Sequence, residues 1–191
     1  MTKALLDESL AALRTVAAGL SDADRQSRTP CEAWNVTQVL QHAAGDQVAW
    51  AAVVGGGPFP SYDPFAPSGE LPGTADALVG EALARAEAAW ATVAPDAAEV
   101  PTPLPLGAMS YELATAACAL DAAVHAWDVA VATGRPSPLT PAMARGLMPA
   151  AQAIADPLRG FAFAAALDTQ PGDDDVAALL RHLGRDPHWT P

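Results

Sequence analysis

Apolar residues recur at helical spacing in five stretches of this chain, and no stretch alternates apolar and polar residues as a half-buried strand does. The first helix is expected from Thr2 to Gly19, with Leu5, Leu6, Leu10, Leu13 and Val16 on one side. Asn35 followed by Gln38 has the form of a capping box opening a second helix, Val36 to Val54, which Gly55-Gly56-Gly57 ends. Thr74 caps a third, carrying Leu78, Leu83 and Trp90 and running to about Val93. Ser110 caps a fourth that ends at Gly134, its stripe formed by Leu113, Leu120, Val124, Trp127 and Val131. Thr140-Pro141 starts a fifth, expected to be peripheral and to reach about Ile154, because proline at the first helical position loses no hydrogen bond. A short last helix follows the acidic triplet Asp173-Asp174-Asp175 and runs to Leu183. The fold class is all-α.

The connections differ from the helices in kind. Pro58 to Gly73 holds five prolines in sixteen residues, too irregular for a plain bundle turn, and reads as cover for a pocket mouth. A second such stretch, Pro95 to Met109, contains Pro101, Pro103 and Pro105. The polar segment Ser21 to Asn35 is a connection too.

Composition narrows the partners. A net charge of −12 and a pI near 4.4 exclude binding to nucleic-acid backbones and anionic membrane surfaces, which need clustered Lys and Arg. No apolar run approaches the roughly 20 residues of a membrane span, and the N-terminus meets charge at Lys3, Asp7 and Glu8 before any signal-like segment, so a cytoplasmic location is expected. Two cysteines, Cys31 and Cys118, form neither a disulfide framework nor a CxxC pair and read as reduced thiols.

Candidate chemistry lies in the fourth helix. Asp121 and His125, four residues apart, put a carboxylate and an imidazole on one face, which is half a metal site. His42 is the third candidate, since it lies in the other long helix-like segment with a histidine. Two imidazoles and one carboxylate suit a divalent cation and leave coordination positions open, the mark of a catalytic site. The competing reading of the same spacing is a helix-surface pair with an ordinary half-buried His42. Asp46 and Asp128 read first as solvated acids, with orientation of a ligand imidazole or proton transfer as the alternative. Trp34, Trp50 and Trp127 read as bundle core before pocket wall. Cys31 reads as a small buried hydrophobe, His182 and His188 as exposed, and Arg135 as a cation at a helix C-terminus that could instead meet a substrate carboxylate.

Two phrases carry a resemblance: Thr29-Pro30-Cys31-Glu32-Ala33-Trp34-Asn35-Val36, opening the helix with His42, and Asp121-Ala122-Ala123-Val124-His125-Ala126-Trp127-Asp128-Val129-Ala130-Val131-Ala132-Thr133-Gly134. Together they resemble the DinB-like, mycothiol-dependent maleylpyruvate isomerase N-terminal-domain family. The likeness covers about residues 1 to 135, and the closing Leu183-Gly184-Arg185-Asp186-Pro187-His188-Trp189 is similar to the tail of an actinobacterial metal-binding subgroup. The resemblance implies a DinB-like four-helix bundle over 1–135 and a short helical extension over 136–191 packed on it. It also implies a divalent metal, zinc or nickel, on positions matching His42, Asp121 and His125, and mycothiol or a related thiol as co-substrate. Where the isomerase itself uses glutamate this chain has Asp121, one methylene shorter, which changes the reach of that ligand.

The expected function is thus a metal-dependent, thiol-using isomerase or S-transferase acting on a small electrophile. A thiol-independent hydrolase or cyclase and a non-catalytic metal- or small-molecule-binding bundle are the alternatives, and a homodimer is compatible with any of them.

Overall fold

A computed structural model describes residues 2–191. Six α-helices follow in order: α1 (Thr2–Ala18), α2 (Val36–Gly55), α3 (Ala75–Trp90), α4 (Tyr111–Ala132), α5 (Pro141–Ala155) and α6 (Asp175–His182). Among the described residues there is no strand, only isolated bridges such as Val100 with Met109. Among the described residues no helix is long and apolar enough to cross a membrane.

The caps form as the residues dictate. Asn35 accepts from the Gln38 amide while the Gln38 side chain accepts from the Asn35 amide, so the box closes in both directions. Thr74, Ser110, Thr140 and Asp174 each accept a backbone N–H three residues on, satisfying donors that a helix start leaves open. Past the end of α2, Gly56 takes a left-handed φ of 72° and its amide bonds back to Ala52 O.

α1 packs on α3 and α4, and α2 packs on the same two helices, giving a DinB-like four-helix bundle. Leu6, Leu10 and Leu13 of α1 are fully buried with Leu40, Leu83 and Trp90 from its neighbours. α4 differs from the simple amphipathic helix expected. Nearly every side chain from Ala114 to Ala130 is buried, because α1, α2 and α5 all pack on it and its alanines let them come close. Leu113 and Val131, assigned to its apolar stripe, are only half-buried. The expectation that α5 is peripheral is likewise corrected: α5 packs between α4 and α6, and Met143, Leu147 and Ile154 join the main core.

Candidate metal centre

His42 projects from α2, and Asp121 and His125 from consecutive turns of α4, where the two helices face each other. Their donor atoms all lie within 4.8 Å of one another. Asp121 Oδ1 stands 3.5 Å from His125 Nε2 and 3.8 Å from His42 Nε2. Ligands tetrahedrally placed around a zinc-sized cation lie about 3.4 Å apart, near the two separations that Asp121 makes with the imidazoles.

Each donor is held by a partner that fixes which atom faces inward. His42 Nδ1 is 2.9 Å from Pro64 O, and since a carbonyl can only accept, Nδ1 carries the proton and Nε2 offers its lone pair. His125 Nδ1 donates to Asp128 Oδ2 at 2.9 Å, which leaves its Nε2 free in the same way. Gln47, fully buried on α2, donates to Asp121 Oδ2 at 3.3 Å and turns Oδ1 toward the imidazoles. Gln47 is itself clamped: it donates to Cys118 O and accepts from Cys118 Sγ at 3.1 Å. Two locked lone pairs and one oriented carboxylate oxygen fit a divalent cation on the chemistry of the donor set.

Asp128 is not the solvated acid that its sequence context suggests. It is wholly buried and receives four bonds, from His125, from Arg185 Nε at 2.9 Å and Nη2 at 2.8 Å, and from Cys31 Sγ at 3.3 Å. Burial opposes its charge, but the Arg185 guanidinium and the His125 bond outweigh that and hold its carboxyl well below the usual range. Cys31 therefore belongs to a polar network, with Arg185 Nη2 donating to its sulfur at 3.2 Å. Burial, then the nearby Asp128 charge, pushes its thiol up to about 12. Burial also lowers His125 to about 4 against the opposing pull of Asp128, so the imidazole is neutral near pH 7. Asp121 is raised well above its ordinary value by burial and by Asp46; Asp46 is raised by burial, with His42 opposing.

Asp46 lies one turn beyond His42, its Oδ2 3.7 Å from His42 Nε2, beside the three-donor cluster. The remaining candidates lie elsewhere. Arg135 donates to Val16 O and Gly19 O and pairs with Asp24, joining α4 to the end of α1 instead of meeting a substrate. His188 is exposed, as expected, whereas His182 is half-buried at the end of α6. Cys118 is buried against Gln47.

A cavity of about 400 Å³ opens outward from the donors. Trp34 and Trp50 line it, so they are wall as well as core, while Trp127 is buried outside it. The Thr29–Asn35 phrase folds into a tight loop, with Thr29 Oγ1 donating to Trp34 O at 2.8 Å, and this loop brings Cys31 and Trp34 to the cavity. Both proline-rich connections contribute, through Phe65 and Leu104, and the chain after α4 supplies Ile154, Leu158, Phe161 and Arg185.

Sequence comparison matches residues 6–130 to the mycothiol maleylpyruvate isomerase N-terminal domain. The chain belongs to this family. The match contains all three candidate donors and ends before the segment that brings Arg185 and the outer cavity wall. Two uncharacterized proteins of Mycobacterium tuberculosis, one from each of two strains, are 32% identical over 133 residues, 68% of this chain. The matched region spans 65% of the length of these curated relatives. No solved structure matches.

Of the functional neighbours, Arg185 and Gln47 escaped the sequence reading. Arg185 lies in a Gly-Arg-Asp phrase with no helical period to place it, and Gln47 looks like any polar helix residue. The signal that could have raised Arg185 was Asp128, an acid inside an otherwise apolar helix face that needs a cation once buried.

Proposed function

We propose that this protein is a divalent-metal-dependent enzyme that uses a low-molecular-weight thiol, mycothiol in its family's chemistry, for isomerisation or S-transfer on a small electrophile in the cytoplasm. The observation that carries the reading is the convergence of two tautomer-locked Nε2 atoms and one oriented carboxylate oxygen on the floor of a cavity large enough for a substrate. His42, Asp121 and His125 would hold the metal, with zinc or nickel suited to this nitrogen and oxygen set. Bound there, such a cation favours the thiolate of an incoming thiol near neutral pH, as it lowers the pKa of coordinated water.

The chain's own residues divide the remaining work. Pro64 O, Gln47 and the Asp128–Arg185 pair hold the three donors in their productive orientation. Asp46, beside His42, takes the thiol proton; burial raises its carboxyl above the ordinary value, which makes it a stronger base than an exposed aspartate. The sulfur then bonds to one carbon of an activated double bond as the π pair moves onto the activating group. In isomerisation the new single bond rotates and the thiolate is expelled; in transfer Asp46 returns its proton to the adjacent carbon and the thioether leaves. Cysteine chemistry of the chain itself is not needed, since Cys31 stays a protonated thiol.

The test is turnover of an activated alkene by zinc-loaded protein with and without mycothiol. Consumption only when the thiol is present is expected; equal consumption without it would overturn the proposal.

A further inference from the structure

The cavity walls and the placement of charge point to the kind of electrophile. Trp34, His42, Phe65 and Phe161 form a continuous aromatic series from the donors to the mouth. Trp34 and His42 have centroids 4.7 Å apart, His42 and Phe65 5.2 Å, and Phe65 and Phe161 5.2 Å. Phe161 is 66% and Phe65 43% exposed, although neighbouring aliphatic residues of the same wall, Ile154 and Leu158, are buried. Two large rings kept at a cavity mouth in contact with water are surface that a flat apolar ligand would cover.

Charge adds a second constraint. Arg185 is the one guanidinium or ammonium group among the described residues lining the cavity, and both its Nε and Nη2 are committed to Asp128. The side chains nearest His42 Nε2 on these walls are themselves carboxylates, Asp46 with Oδ2 at 3.7 Å and Asp121 with Oδ1 at 3.8 Å. No side-chain cation on these walls is left unpaired for a substrate carboxylate, and burying one among them without a partner is unfavourable.

We propose that the electrophile bound here is uncharged and bears an aromatic ring, and that the cavity rejects carboxylates, dicarboxylates such as maleylpyruvate included. This rests on the enzymatic reading above but concerns a separate property, the charge selectivity of the cavity. Benzylideneacetone and cinnamate make a near-isosteric pair, a neutral activated alkene and its anionic counterpart. Calorimetric titration of the metal-stripped full chain, in which no bound cation can attract the acid, should show the ketone binding at least about tenfold more tightly than the acid. Phe161→Ala, at a mainly exposed position that leaves the core intact, should weaken ketone binding about fivefold with zinc content unchanged.

Equal or tighter binding of cinnamate to the metal-stripped protein, no binding of either probe, or unaltered ketone affinity in Phe161→Ala would each overturn the inference. Ketone-selective binding without thiol-dependent turnover would support it while removing the proposed thiol chemistry, so the two readings fail separately.

Discussion

At the scale of single residues, the site is governed by what stands behind each donor. Asp128 touches no cavity space of its own, yet it selects the His125 tautomer and neutralises Arg185. Asp128→Asn would leave a buried guanidinium without its counter-charge and should destabilise the fold by about 3–5 kcal/mol. Zinc affinity should fall about 10–100-fold in the same variant. Urea unfolding and competition with a chromophoric chelator measure the two effects; zinc affinity equal to that of the parent would remove Asp128 from the site. His125 adds a pH dependence. Its folded pKa of about 4 lies below the ordinary histidine value of about 6.5, so between these values the unfolded chain binds a proton that the folded chain does not. Its contribution is complete above about pH 6.5 and is lost as pH falls toward 4, on the order of 3 kcal/mol at most. Asp121 and Asp46, with raised values, act in the opposite sense, losing stability as pH rises. The metal-free protein should therefore lose stability between pH 6.5 and 4.5 more steeply than His125→Gln does; parallel denaturation curves would refute this assignment.

At the scale of elements, two glycines set how closely loops approach the site. A Cβ on Gly45 would stand 2.7 Å from Pro64 Cγ, so the proline-rich connection rests directly on α2 and delivers Pro64 O to His42. Gly45→Ala should push that connection away and lower zinc affinity about tenfold while helical circular dichroism is retained. Unchanged affinity would show that the Pro64 contact is dispensable. Gly184 closes α6 with φ of 79°, and a Cβ there would meet Ala165 O at 2.8 Å. This turn aims Arg185 at Asp128, with the Arg185 amide bonded back to Leu180 O at 2.8 Å. The helices themselves were legible because Asn35, Thr74, Ser110 and Thr140 mark their starts through local hydrogen bonds that need no tertiary partner. The role of α5 was not, since whether an amphipathic helix lies at the edge or between two others depends on what covers its far side.

At the scale of the molecule, the bundle supplies stability and the site draws on it. The core cluster is continuous from α1 through α6, and the candidate donors occupy a few positions at its margin. Stripping the metal should lower the thermal midpoint, in proportion to the logarithm of free zinc over its dissociation constant, without loss of helicity. Collapse of the helical signal on chelation would instead make the ion a folding element. We propose 1–135 as the bundle and 136–191 as an extension that completes the cavity, because Ile154, Leu158, Phe161 and Arg185 all arrive from the second part.

Sequence alone determined the all-α class, the helix starts and the three candidate donors, because capping and the four-residue spacing of Asp121 and His125 are local properties of a helix. Only the tertiary structure decided that His42 faces that pair, that Arg185 from the far end of the chain neutralises Asp128, and that aromatic side chains from separate connections wall one cavity. Those facts concern atoms distant in sequence. The physical reason is burial: a carboxylate, a guanidinium and a thiol acquire their ionisation states and partners from the packing that removes water around them, and no local pattern encodes that packing.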